Sequence, residues 1–330
     1  TLVATLAEIA TARNRTLQVL QKNARTSDLS PSGILACEDP QALPAATTHH
    51  CLIVLPAAEL FCSWAARRFH ITAAESLRFA SRWRSAAIDI ALTRSAEHIT
   101  VFRPHAREAH SVSICAGLLG WALADASIQD YETVFSHSLA ADTWDIDAGL
   151  LAIDKSHLQA VDAYDTGLED TPTRLVWPRT MFNSGDSPDH PCPEIVDLTG
   201  RSRILLFGPY FSLPSGFWRV SAFLIADEGA QGAPLRLEMN FDGRLVSSDI
   251  ESAVIGAFAA TFAFQLERPA VADFRVWLLR PRLAGNLVFA GLCLERLGAD
   301  ENSLAGAGPV PAVFFNSARR AERTGSKKNQ

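Results

Sequence analysis

The feature that most constrains this chain is a change of hydrophobic period near residue 195. Ahead of it apolar residues recur at helical spacing, while from Ile204 to Leu294 they alternate in short runs broken by Gly, Pro and Asp. The first pattern builds one face of a helix, and the second sends alternate side chains to opposite sides of a strand. Two bodies are therefore expected. The first is an α/β domain, a parallel sheet with helices, over residues 1–150, and the second an all-β, jelly-roll-like sandwich over 195–298, with an irregular connector at 151–194 and a basic tail at 299–330.

In the second half the alternation can be followed strand by strand. Trp218, Val220, Ala222 and Leu224 interleave with Arg219, Ser221 and Phe223, and Leu235, Leu237 and Met239 with Arg236 and Glu238. Phe262, Phe264 and Leu266 run into Arg268-Pro269, and Phe274, Val276 and Leu278 into Arg280-Pro281. Leu213-Pro214-Ser215-Gly216 and Asp242-Gly243 supply turn chemistry. Short strands at this spacing, about eight of them, are the mark of an antiparallel sandwich. Trp218 and Trp277 fall in strand interiors and are expected to pack in the core.

The first half reads as helix, strand, strand, helix, helix, strand, helix. A helical stripe of Leu2, Leu6, Ile9, Leu17 and Leu20 predicts one helix over residues 1–23. Ile34 to Cys37, Cys51 to Leu55 and Ile99 to Phe102 are short apolar runs suited to buried strands. Residues 57–69 predict a helix ending on Arg67 and Arg68. Thr72 and Glu75 form a capping box that opens another, running to about Leu92, with Arg78, Arg82 and Arg84 near the edges of its apolar face.

Composition removes several classes. A formal net charge of −6 argues against a nucleic-acid partner, which normally needs a basic face; only the tail, from Arg319 to Lys328, is cationic. No apolar run approaches the ~20 residues of a membrane span. The six cysteines show no C-x-x-C pair and are expected as buried free thiols, so a cytoplasmic location is expected. His105, Glu108 and His110 lack zinc spacing, and Asp142, Asp145 and Asp147 lack the Gly and Glu of a calcium loop, so no metal site is expected. Thr1 is not an initiator residue, and upstream sequence is expected.

The run Cys51-Leu-Ile-Val-Leu-Pro-Ala-Ala-Glu-Leu-Phe-Cys-Ser63 resembles the strand-turn-helix of the PAPS-dependent sulfotransferases, and with the helix holding Trp83, the strand to Arg103 and the Leu119-Gly120 helix end it extends over residues 1–123. The resemblance implies that Ser63, with Arg67 beside it, holds the 3′-phosphate of the nucleotide; His49 and His50 are candidate bases on their own chemistry, because an imidazole titrates near neutrality and can take a hydroxyl proton. Leu55 stands where the family has Arg, and Phe102-Arg103-Pro104 where bacterial members have Tyr-Glu-Asp, so the donor-site motifs are eroded. No cofactor is expected, and PAPS would be a donor only if a Gly-rich phosphate loop precedes Thr1.

Gly208-Pro209-Tyr210 followed by Leu213-Pro214-Ser215-Gly216-Phe217-Trp218-Arg219-Val220 resembles the carbohydrate-binding jelly rolls appended to bacterial glycosyltransferases and sulfotransferases. Aromatic faces stack on the apolar faces of sugar rings while polar groups read hydroxyls. The resemblance makes Tyr210, Phe211 and Phe217 stacking candidates, with Arg219 and Arg275 for hydroxyl or carboxylate contacts. The expected function is a sulfotransferase-like protein of surface-polysaccharide metabolism with a glycan as partner; the alternative is a non-catalytic carbohydrate-binding module, or one that docks onto a partner enzyme or upstream domain.

Overall fold

The structure, a computed structural model, describes residues 17–20, 34–37, 51–54, 57–93, 99–102, 153–168, 173–252 and 255–297. It divides into two compact units, Thr1–Ile153 and Asp154–Gln330.

In the first unit β1 (Leu17–Leu20) pairs in parallel with β2 (Ile34–Cys37), and β3 (Cys51–Val54) in parallel with β4 (Ile99–Phe102). Leu17–Leu20 is thus a strand, not the end of the helix expected over 1–23. Four residues are too few to declare a period, and pairing with β2 decides it. Between β3 and β4 lie α1 (Ala58–Phe69) and α2 (Ala73–Thr93). His70 closes α1 in the left-handed region, at φ 54°, and its N–H bonds to the Ala66 carbonyl. The capping box then opens α2: Glu75 Oε2 accepts from the Thr72 amide at 2.8 Å, and the Glu75 amide donates to Thr72 Oγ1 at 3.3 Å. The two helices meet through aromatic rings, Phe61 stacking on Phe79 at 5.7 Å. Arg84, expected at a face edge, is fully buried, its guanidinium 6.0 Å from the Phe61 ring centre.

The second unit is a β-sandwich. It begins with α3 (Lys155–Asp162), capped by Asp154, whose carboxylate accepts from the Ser156 amide at 2.8 Å. One sheet has the order β11-β10-β13-β8-β6 and the other β12-β9-β14-β5, with β7 also paired to β14. The strands are β5 (Arg174–Pro178), β6 (Asn183–Ser184), β7 (Val196–Asp197), β8 (Arg203–Leu213), β9 (Gly216–Ala226), β10 (Pro234–Phe241), β11 (Arg244–Glu251), β12 (Gly256–Leu266), β13 (Ala270–Leu278) and β14 (Asn286–Leu297). From β8 onward the chain crosses between sheets at each connection except the β10–β11 hairpin, which is the jelly-roll habit. The stretch expected as an irregular connector supplies α3, β5 and β6. These elements are too short to carry a period, and β5 shows itself only by pairing with β14 from Arg174–Glu295 to Pro178–Gly291.

The core lies between the sheets and is rich in aromatic rings. Phe274 of β13 stacks on Phe289 of β14 at 6.1 Å, and Phe182 meets both edge-on. Trp177 meets Phe211 edge-on at 5.9 Å. Trp218 is fully buried, and its indole N–H donates to the Pro214 carbonyl at 3.0 Å. Cys62, Cys192 and Cys293 are free and buried, and burial pushes the Cys192 thiol up to about 11 although the Arg179 charge works against it.

A polar and aromatic cluster on an outward sheet face

Each sheet of the sandwich has an inner side that makes the core and an outer side, and the two outer sides differ in chemistry. On the β10–β13 sheet, Leu235, Leu237 and Met239 turn inward, which sends Arg236, Glu238 and Asn240 outward. On β13, Phe274, Val276 and Leu278 turn inward and Asp273, Arg275 and Trp277 outward. The antiparallel register sets Glu238 opposite Arg275, Arg236 opposite Trp277 and Asn240 opposite Asp273. On the other flank of β13, Phe207 lies opposite Arg275.

At the centre of this face a guanidinium is held by two carboxylates. Arg275 Nε donates to Asp273 Oδ2 at 2.7 Å, Nη2 lies 2.5 Å from the same oxygen, and Nη1 donates to Glu238 Oε1 at 3.3 Å. The second oxygen of Asp273 accepts from the Gly208 amide at 3.1 Å. Although these groups point away from the core, Glu238 is 6% exposed and Asp273 only 3%. Burial pushes the Asp273 carboxyl above the ordinary aspartate range, and the hydrogen bond and charge of Arg275 and the Gly208 amide offset this only in part. Burial works against the Arg275 charge as well, but Asp273, Glu238 and Tyr210 outweigh it and raise the guanidinium above its ordinary value.

Tyr210 reaches this cluster because of a β-bulge. Pairing between β8 and β13 passes from Pro209–Asp273 to Phe211–Ala272, leaving Tyr210 as the extra residue, with φ 67°. Left-handed backbone is unusual for a bulky residue. The bulge also resets the alternation: Phe211 turns inward opposite Ala272 and is 2% exposed. Tyr210 is half-buried, its ring edge-on to Phe207 at 6.3 Å. At the other end of the face Arg236 grips Asp249 of β11 at 2.6 and 2.9 Å, beside half-buried Trp277.

The residues singled out from the sequence therefore separate. Tyr210 and Arg275 share one face, and Phe211 lies in the core. Phe217 and Arg219 are outward residues of β9 on the other sheet, where Arg219 Nη1 lies 3.6 Å from Glu295. Trp277, expected in the core, faces outward, because Val276 and Leu278 take the inward positions of its strand. Phe207, Glu238 and Asp273 were missed; alternation along β10 and β13 would have put Glu238 and Asp273 outward, but nothing in the sequence gives the register that joins them. In the first unit Ser63 is 5% exposed within α1, and Arg67 is exposed one turn further along it. His49, His50, His105, Glu108, His110 and Asp142 to Asp147 lie outside the described residues. No group of His, Cys, Asp and Glu able to hold a metal ion occurs among the described residues, and no helix among them is long and apolar enough to cross a membrane.

The outer side of the other sheet carries a shallow groove lined by Phe223, Leu224, Ile225, Ala257, Phe258, Ala259 and Ala290. None of these side chains can donate or accept a hydrogen bond. Beyond the groove, that outer side also carries Arg219 with Glu295, and Ser221 hydrogen-bonded to Thr261 at 3.1 Å; the Arg275 side differs in joining a covered Arg–carboxylate cluster to aromatic rings.

No family model matches the chain, and no curated protein matches it. Among solved structures, TmCBM61 in complex with beta-1,4-galactotriose is similar at 14% identity and a TM-score of 0.23, over 30% of this chain and 67% of that one. A family 16 carbohydrate-binding module is similar at 10% identity and a TM-score of 0.24, over 29% of this chain and 71% of its own. CBM35 from Cellvibrio japonicus Abf62 is similar at 10% identity and a TM-score of 0.22, over 38% and 93%. Infectious bursal disease virus reaches 0.24 over 40% of this chain and 34% of its own. Overlaps this slight carry no argument about a ligand.

Proposed function

We propose that the sandwich is a carbohydrate-binding module and that its ligand lies across the outward face of the β10–β13 sheet, on Tyr210, Phe207 and Arg275. One observation carries this reading: a covered Arg–carboxylate cluster, flanked by aromatic rings, on the side of the sheet that the core does not require. Removing Glu238 and Asp273 from water is costly, and the left-handed backbone at Tyr210 costs more. Features that oppose stability and meet at one place are supported there by function.

The chemistry fits a sugar. A pyranose offers apolar C–H faces, which stack on aromatic rings, and hydroxyls, which both donate and accept. Tyr210 and Phe207 supply ring surface, while Arg275 supplies donors and Asn240 an amide within one face. The sulfotransferase reading of residues 1–123 rests on the sequence resemblance alone.

The test is a glycan array probed with the intact chain and with Tyr210→Ala. Binding to a defined set of glycans, reduced about tenfold or more by the substitution with unchanged circular dichroism, supports the reading. Equal signals from both proteins remove Tyr210 from the site, and absence of binding to any glycan removes the function.

A further inference from the structure

We infer that this face selects uncharged glycans and rejects those bearing uronate or sulfate groups, an inference that rests on the glycan-binding reading. It follows from the charge count of the face and from where the guanidinium donors already go. Arg236 and Asp249 are joined by two hydrogen bonds and cancel. At the centre, Glu238 and Asp273 face the single cation Arg275, which leaves the cluster with one uncompensated negative charge. An arginine exposed alone on a sheet would invite a carboxylate or sulfate, because its planar fork matches those groups in two bonds. Here the Nε and Nη2 side of the fork is closed by Asp273 and Nη1 is drawn to Glu238.

What remains is a mixed set: guanidinium N–H groups not used in those contacts, carboxylate oxygen on Glu238, and the side-chain NH2 of Asn240, which is opposite Asp273 and whose Oδ1 already accepts from the Gly243 amide at 3.2 Å. A hydroxyl satisfies such a set, since it can donate to the carboxylate and accept from the guanidinium. A carboxylate or sulfate can only accept. Bound to Arg275 it would sit against the oxygens of Glu238 and Asp273, in a setting where both are nearly closed off from solvent and screening is weak. Discrimination then comes from a repulsive element built into the site, which is a recognised route to specificity. The same carboxylates that hold Arg275 rigid therefore set what it can hold.

The experiment uses the intact chain and pairs of polymers that differ only in charge: polygalacturonate against its fully methyl-esterified form, and dextran sulfate against dextran, with the neutral and acidic members of any chain bound on the array added as further pairs. Affinities are measured by titration at low and high salt. The neutral member of each bound pair is expected to bind about tenfold tighter at low salt, the gap narrowing as salt screens the repulsion. Glu238→Gln keeps the shape of the side chain and removes its charge, and is expected to narrow the gap. Ser247 is exposed on β11 directly opposite Glu238, so Ser247→Lys adds a cation beside the cluster without disturbing buried groups and is also expected to narrow it. Equal or tighter binding of the acidic member, or a gap that neither variant changes, overturns the inference while leaving glycan binding in place. Binding of no member of any pair and of no array glycan overturns the glycan reading and this inference together.

Discussion

Tyr210 pairs a conformational cost with a half-buried ring on the outward face. At φ 67° an L-residue meets its own carbonyl, at a cost of about 1–2 kcal/mol that glycine avoids. Tyr210→Gly is therefore expected to leave the denaturation midpoint unchanged or raised while glycan binding falls; a variant that both unfolds more easily and keeps its binding would show that the ring serves packing instead. Arg275 is different, since its removal leaves two covered carboxylates facing each other. Arg275→Ala is expected to lower stability, by less than the ~3–5 kcal/mol seen for fully buried pairs because the guanidinium keeps contact with solvent. In the core, Phe274 is fully buried against Phe182 and Phe289. Phe274→Ala is expected to cost about 3–5 kcal/mol, read as a shift in the denaturant midpoint at constant slope.

At the scale of elements, β14 shows how closely the sandwich is fitted. It pairs with β9 on one side and with β5 and β7 on the other, with a register shift between Phe289 and Gly291. Gly291 has φ 135°, and a Cβ there would come within 2.6 Å of the Trp177 carbonyl oxygen. Gly291→Ala is expected to destabilise the unit by about 2 kcal/mol or more and to loosen β5, which hydrogen exchange along Arg174–Pro178 would detect. Most of the long strands were legible in the sequence because a half-buried strand must alternate: Trp218 to Leu224, Leu235 to Met239 and Phe274 to Leu278 all lie inward where that pattern puts them. The Thr72 and Glu75 capping box was legible for a similar reason, as its hydrogen bonds are local. What could not be read was long-range. The bulge at Tyr210 sent Phe211 inward, the register brought Glu238 to Arg275 across 37 positions, and β1, β5, β6 and β7 are strands through their partners.

At the scale of the molecule, the boundary at Ile153/Asp154 places every strand of the sandwich after it. Residues 154–297 are therefore expected to fold alone, with a cooperative thermal transition and dispersed amide resonances. A fragment beginning near residue 195 lacks β5 and β6, and should not. Stability also carries a pH signature. Asp227 is held below the ordinary carboxylate range by the Asn286 backbone amide above all, joining the β9–β10 connection to β14, and Asp154, Asp197 and Asp249 are lowered by their own hydrogen-bond donors. Burial lowers His157 as well, Asp154 opposing it in part. Each of these groups favours the folded state in its deprotonated form, so stability is expected to fall as pH drops below about 6.5 and further through the carboxylate range. Asp273, raised by burial, has the opposite sign: it binds its proton more readily when folded and softens that loss. Asp273→Asn is thus expected to steepen the acid limb of a stability–pH curve, and an unchanged or shallower limb would contradict the burial of that carboxyl.

The most direct test of the whole account is to locate the ligand. Hydrogen exchange of the intact chain, measured by mass spectrometry with and without a glycan taken from the array, reports on both outer sides of the sandwich at once. Protection confined to segments 204–212, 236–249 and 271–278, with 217–225 and 257–265 unchanged, is the expected result. Protection on the β9 and β12 side instead, or none on either at saturating glycan, would contradict a binding face built on Tyr210 and Arg275.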